Sequence, residues 1–475
     1  MTRTQALLDF LAREHASIDV LTTPSDTAAY ETGARYGRGS AAAVVRPAST
    51  SEVQALARAA QAHGVRLVAQ GANTGLVGGS SPDASGTQVV LSTERLKGAI
   101  EIDVINRSVT VPAGTRLSEL NQRLAEHGLF FPIDLGADPT IGGMIAANTG
   151  GARLLKYGDV RHNLLGVEAV LAEPAGEVLD LLQPLRKNNV GFDFKQLFVG
   201  TGGAFGIVTA AALQVHPLPQ QTSCALIIPG TGDAVNTLIR LLDIEFANYL
   251  TSCEGISRAA AEAVVSHIEG VENPFEAMAD ADYAVLVELT AARPAGNGYP
   301  DLDALMLAFL EAHFGTVIGN AIVGKAEMLW KLRHAITESI RGLGSIVAFD
   351  LSVPRSRIAT FRTVATRLVA EKYPWMRVFD FGHLGDGGIH LNMVWPDSDA
   401  PRYDSDVVER LRSDIYALTV REFSGSYSAE HGIGPYNAAY YQAFTAPAVL
   451  AHMGGMQSQF DPRMTLGRTW LGKAE

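Results

Sequence analysis

Four residues toward the C-terminal end carry the types and spacings that do chemistry. His383 and His390 stand seven apart in Phe381-Gly382-His383-Leu384-Gly385-Asp386-Gly387-Gly388-Ile389-His390-Leu391-Asn392, directly after an apolar run. The three glycines and Asp386 between them suit a strand that turns and folds back on itself, so both imidazoles can meet at one point. About forty residues later comes Ser428-Ala429-Glu430-His431-Gly432-Ile433-Gly434, with a carboxylate and another imidazole. Two imidazoles and one carboxylate form a common three-ligand set that leaves a position open for substrate. The same residues also fit plainer roles: histidines beside a turn serve as structural or solvated groups, and Glu430 could hydrogen-bond His383 or His390. Asp386 reads as a turn-former. Asn392 reads as a substrate contact or a turn-closing amide.

A candidate anion holder precedes them. Leu332-Arg333-His334-Ala335-Ile336-Thr337-Glu338 falls in a helical pattern, so Arg333 and Thr337 share a face at i and i+4. The guanidinium fork matches a carboxylate in two-point geometry. An exposed surface pair is the other reading.

The first half is marked by glycine. Gln70-Gly71-Ala72-Asn73-Thr74-Gly75-Leu76-Val77-Gly78-Gly79 follows a strand-like segment. Its glycines let backbone N–H groups approach a pyrophosphate, and Asn73, Thr74 and Ser80 offer side-chain donors. It is neither a Walker A loop nor a Gly-x-Gly-x-x-Gly turn, so the usual nucleotide folds are not indicated. A second segment runs from Pro132-Ile133-Asp134-Leu135-Gly136 into Ile141-Gly142-Gly143-Met144-Ile145-Ala146-Ala147-Asn148-Thr149-Gly150-Gly151, with almost no side-chain bulk. A third, Gly200-Thr201-Gly202-Gly203-Ala204-Phe205-Gly206-Ile207-Val208-Thr209, ends in a strand. Such loops suit a flat ring system; any one alone could be a surface turn.

Together these segments resemble the FAD-binding domain of the vanillyl-alcohol oxidase superfamily, on its D-lactate and D-2-hydroxyglutarate dehydrogenase branch. The match is nearly position for position over Val45-Arg46-Pro47-Ala48-Ser49 through Gly79, and over Asp134-Leu135-Gly136 through Tyr157-Gly158-Asp159. It holds also over Lys187-Asn188-Asn189 through Lys195-Gln196-Leu197-Phe198. It covers most of the chain and is weakest between about 225 and 320.

The resemblance implies that Gln70, Gly71, Ala72, Asn73, Thr74, Gly75, Gly78 and Gly79 hold the pyrophosphate of FAD. It implies that Pro132, Gly136, Gly142, Gly143, Asn148, Gly151, Tyr157, Gly206, Ile207 and Val208 line the rest of the flavin. Gly202 and Ala204 depart from the residues relatives commonly carry. Covalent attachment in this superfamily uses His or Cys, which the loops at 70–79 and 141–151 lack, so non-covalent FAD is expected. The resemblance further makes His383, His390 and Glu430 ligands of a divalent metal, Zn or Mn, and His431 the general base; the bare residues leave His431 equally a further ligand or a capping group. Arg333, Thr337 and Asn392 become substrate contacts. Where the 2-hydroxyglutarate enzymes have a Lys, this chain has Ala348. Losing one charge-assisted hydrogen bond costs about 1.5–3 kcal/mol, so the substrate stays open among glutarate-, lactate- and malate-like 2-hydroxy acids. The implied reaction is oxidation of a D-2-hydroxy acid to the 2-oxo acid, by hydride transfer to flavin N5. Electrons would pass on to a transfer flavoprotein, a quinone or a cytochrome. The competing readings are a flavin oxidase using oxygen, a zinc hydrolase and a non-catalytic nucleotide-binding module.

Elements to position these groups are visible along the chain. Ser49-Thr50-Ser51-Glu52 has capping-box spacing before Val53, Leu56, Ala57 and Ala60, with Gly64 as a stop and Val65–Ala69 as a strand. Gln88–Leu91 reads as a strand. Leu117, Leu120 and Leu124 make a helical stripe closed by Gly128. After Pro217-Leu218-Pro219 the texture shifts to longer amphipathic helices, Lys325–Gly342 and Asp404–Phe423. Strands Ala284–Leu289, Ile346–Val353 and Val378–Phe381 lie between them. The expected class is α+β: a two-subdomain FAD-binding domain over 1–218, a substrate or cap domain over 219–425, and a segment 426–475 returning to the first.

At 475 residues the chain exceeds one core. Net charge is −12 with scattered basic residues, which excludes a nucleic-acid footprint. Two cysteines rule out a disulfide framework. No signal-like start and no run long enough to span a bilayer is evident, which makes the cytoplasm the expected location. A homodimer stays open.

Overall fold

The computed structural model describes residues 2–230, 234–398 and 400–473. The chain divides into two units, one of residues 1–151, 158–218 and 430–475, the other of 152–157 and 219–429.

In the first unit, the Ser49 hydroxyl accepts from the Glu52 amide at 3.2 Å and caps the helix Thr50–His63. The Glu52 carboxylate reaches back one residue further than a capping box, accepting from the Ala48 amide at 2.7 Å and also from the Ser17 hydroxyl. Gly64, left-handed at φ 66°, stops the helix. Its apolar side, Val53, Leu56 and Ala60, packs on Val45, Leu67, Val89 and Leu91. Those four belong to a sheet ordered Asp19–Leu21, Ala41–Arg46, Gln88–Ser92, Leu67–Gln70, whose last three strands run parallel. A second, antiparallel sheet is ordered Glu101–Asp103, Ser108–Pro112, Ile207–Gln214, Leu164–Val170, Val178–Leu181. The helix Leu117–Ala125 buries Leu117, Leu120 and Leu124, as their spacing predicts.

The second unit is one antiparallel sheet of seven strands. Their order is Ile318–Val323, Gln221–Pro229, Tyr283–Ala291, Leu250–Ser257, Arg377–Gly382, Gly388–Pro396, Gly344–Ser352. One face is covered by the helices Arg258–His267 and Ala326–Arg341. Val264, Ile336 and Ile340 from those helices meet Leu226, Ile256, Leu286, Phe379 and Phe381 of the strands. The other long helix differs from its sequence pattern. It is α-helical over Ser405–Ala417 and then widens into a π turn, Leu418–Glu422. There the Thr419 hydroxyl donates to the Ile415 carbonyl at 2.8 Å, competing for the acceptor that a regular turn uses. Cys224 and Cys253 are buried free thiols, and burial pushes both pKa values up. Helices on predominantly antiparallel sheets, with one small mixed sheet, make this an α+β protein. Among the described residues no helix is long and apolar enough to cross a membrane.

Candidate active site

Arg377–Gly382 and Gly388–Pro396 pair so that Phe381 faces His390 and Phe379 faces Asn392. The link between them is a tight turn. The His383 carbonyl accepts from the amides of Asp386, Gly387 and Gly388 at 3.0–3.1 Å, and the Asp386 carboxylate accepts from the Gly388 amide at 2.8 Å. Gly387 lies at φ 91°, and a Cβ there would run into the Val353 carbonyl, so the turn needs glycine at this point. The turn brings the His383 and His390 rings edge to face, with centroids 5.2 Å apart. Asp350 pairs with His390 across the ladder, and its carbonyl accepts from the Ala429 amide at 3.3 Å. Glu430 is the next residue. One ligand atom each from His383, His390 and Glu430 lie within 4.8 Å of one another.

Glu254, which sequence reading missed, organises the histidines. It sits on Leu250–Ser257, 1% exposed, and accepts from His383 Nδ1 at 2.6 Å and from Arg333 Nε at 2.8 Å. Burial raises the carboxyl pKa, but the neighbouring His383 and Arg333 outweigh it and hold the group well below the usual carboxylate range. An ionised Glu254 keeps a proton on His383 Nδ1 and leaves the Nε2 lone pair for a cation. His390 Nδ1 has a looser carboxylate neighbour, Asp350 Oδ1, at 4.0 Å. Two imidazoles, one of them oriented by a buried carboxylate, joined by a further carboxylate fit a divalent cation. The available signal for Glu254 was a lone acid inside a fully buried strand, where acids are rare unless paired.

Arg333 lies over the Phe381 ring at 4.6 Å and spends only Nε on Glu254. Its two terminal nitrogens have no hydrogen-bond partner among the described residues, which leaves the fork's tip for an anion. Thr337 follows one turn later on the same helix. Asn392 is buried, donates to the His390 carbonyl at 3.2 Å, and faces Ala348 in register.

In the first unit the Gln70 amide spans the glycine loop, donating to Tyr30 O at 2.9 Å and Ser80 O at 2.7 Å. Asn73, at φ 56°, donates to Thr32 O at 2.8 Å and accepts from Ser80 Oγ at 2.8 Å. Ala72 and Thr74 are half-buried beside it, and Gly78 packs on Gly37. The glycines divide into two kinds. At Gly71, Gly142 and Gly151 a Cβ would meet Thr140, Ala113 and Asp134, so these positions are small because the protein fills the space. Gly75 and Gly79 meet nothing closer than 4.0 and 3.8 Å, and Gly136 nothing within 4 Å. Those open sides fit a flat, phosphate-bearing ligand against the backbone. Thr140 caps the short helix Ile141–Ala147 through the Gly143 amide, and Asn148 ends it while donating to Asp159. Pro132 is buried after the strand Leu129–Phe130; Gly206, Ile207 and Val208 enter the strand Ile207–Gln214. Tyr157 belongs to the second unit, where its hydroxyl is 3.4 Å from Thr290 Oγ1.

His431 begins a segment tied to the first glycine loop. Tyr436 donates its amide to Val77 O at 3.1 Å and stacks on Tyr36 at 3.5 Å, while Asn437 bonds Gly432 O and the Gly434 amide.

Residues 41–182 match the model of an FAD binding domain, and residues 220–469 the C-terminal domain of FAD linked oxidases. D-2-hydroxyglutarate dehydrogenase of Xanthomonas citri pv. viticola is 31% identical, over 89% of this chain and 88% of that protein. The mitochondrial enzyme of that name from Rattus norvegicus is 32% identical, over 90% and 78%. The fold is shared with p-cresol methylhydroxylase solved with substrate bound, at TM-score 0.75 and 14% identity over 97% of this chain and 95% of that one. Alkyldihydroxyacetonephosphate synthase is a second such neighbour, at TM-score 0.68 and 16% identity over 97% and 84%. Glycine loops with open sides, the matched domains and the shared fold agree: this chain is an FAD-dependent oxidoreductase and belongs to the FAD linked oxidases.

Proposed function

We propose that the chain oxidises a D-2-hydroxy acid to the 2-oxo acid, assisted by a divalent cation at His383, His390 and Glu430. The observation that carries this reading is the convergence of three ligand atoms within 4.8 Å, with Glu254 orienting one imidazole. The two relatives named above, dehydrogenases of D-2-hydroxyglutarate, support the substrate class. A cation bound there, Zn or Mn, makes the substrate hydroxyl a stronger acid. FAD, held without a covalent bond, supplies the acceptor for the C2 hydride. His431 takes the hydroxyl proton. Arg333 and Thr337 hold a carboxylate, and Asn392 fixes orientation from the sheet. Ala348 puts no charge opposite Asn392, which leaves the length of the acid open between lactate, malate and hydroxyglutarate types. Electrons leave to a transfer flavoprotein, a quinone or a cytochrome.

Anaerobic mixing of purified holoenzyme with D- and L-2-hydroxy acids tests this through flavin absorbance near 450 nm. Bleaching by one or more D-acids and none by their L-enantiomers is expected. Bleaching by no 2-hydroxy acid, or by L-acids alone, overturns the reading.

A further inference from the structure

Resting on that reading, we propose that Lys156 is a specificity-determining residue of the same site, holding the distal anionic group of the 2-hydroxy acid. Residues 152–157 pack with the second unit at three points. The Ser252 hydroxyl donates to Ala152 O at 2.7 Å. Leu155 lies where a Cβ on Gly385 would stand, inside the turn that joins His383 to His390. The Lys156 ammonium donates to the Thr290 carbonyl and, at 2.9 Å, to the Thr290 hydroxyl.

Strand register places this ammonium on the working face of the sheet. Ser252 pairs with Glu288, and Thr290 lies two residues beyond Glu288 on the same side. Glu254, which grips His383 and Arg333, is two residues from Ser252 and likewise on that side. Glu288 accepts from Trp330 Nε1 at 2.7 Å, and Arg333 follows Trp330 by three residues on the helix Ala326–Arg341. Lys156 and Arg333 therefore approach one stretch of sheet from two elements.

The ammonium is poorly compensated where it stands. Both its acceptors are neutral, and among the described residues no carboxylate lies within ion-pairing distance. Burial draws its pKa down to about 8, although Glu288 pulls the other way. An ammonium has three donors; Thr290 takes two and the Tyr157 ring centroid lies 5.5 Å from the nitrogen, so the third donor has no hydrogen-bond acceptor among the described residues. An anionic ligand group would supply the missing counter-charge.

A merely structural Lys156 would pin the 152–157 segment through Thr290 and nothing more. Lys156→Met keeps the stem and removes the charge; Lys156→Arg restores charge. With holoenzyme and metal content matched, Lys156→Met is expected to raise KM for D-malate and D-2-hydroxyglutarate about tenfold to a hundredfold. KM for D-lactate, which has no distal charge, should move less than twofold, and Lys156→Arg should recover most of the loss. Calorimetric titration with 2-oxoglutarate and pyruvate needs no turnover and should show the same split. Equal weakening of both ligand kinds, or of neither, overturns the proposal. If no 2-hydroxy acid bleaches the flavin yet the 2-oxoglutarate split is present, the proposed reaction fails while the role of Lys156 stands.

Discussion

Replacing Glu254 with alanine is expected to destabilise the second unit by about 3–5 kcal/mol, the range for breaking a buried ion pair from one side. The carboxylate is the shared partner of His383 and Arg333, and its removal leaves both facing an unfilled, desolvated space. Glu254→Gln separates stability from function. The amide keeps the volume, and it can still accept one hydrogen bond, but it no longer holds His383 as a good donor to a cation. Metal affinity should fall about tenfold to a hundredfold, the usual scale for losing a carboxylate behind a ligating histidine. Urea unfolding of the alanine variant and metal content of the glutamine variant check the two halves. A Glu254→Gln protein that binds metal like the parent would remove Glu254 from the site's machinery.

His431→Ala carries the second large effect. The variant should remain yellow and keep its metal, because Glu430 is untouched and the glycine loop retains Gln70, Asn73 and Ser80. The rate of flavin reduction by substrate should fall by about a hundredfold to ten-thousandfold, the usual worth of a positioned general base. Stopped-flow absorbance under anaerobic conditions measures it. Rapid reduction in the variant would assign the proton to another group.

The local part of this architecture was legible from residue order. Ser49 and Gly64 bracket a helix because capping chemistry acts over three or four residues. The turn between His383 and His390 was legible because glycines and Asp386 encode it within eight positions. What lay hidden depends on which strand sits beside which. Glu254 meets His383 across 129 positions, and no periodicity in a uniformly buried strand reveals that pairing. The same holds for Lys156 and Thr290, 134 apart, and for the stack of Tyr436 on Tyr36. Tyr157 is a further case. Its motif continues from Gly151, and the short helix Leu154–Tyr157 brings it beside Thr290 of the seven-stranded sheet, a pairing no local pattern encodes. The π turn at Leu418–Glu422 was masked because Leu418 keeps the apolar spacing of a regular helix while Thr419 bonds backward.

The most direct test of the central claim is anaerobic flavin bleaching by a reactive D-2-hydroxy acid, recorded before metal is stripped with a chelator, after stripping, and after Zn or Mn is returned. The account predicts that bleaching is lost on stripping, while the flavin stays bound, and returns with the ion. Bleaching at an unchanged rate in protein shown to be metal-free would contradict it.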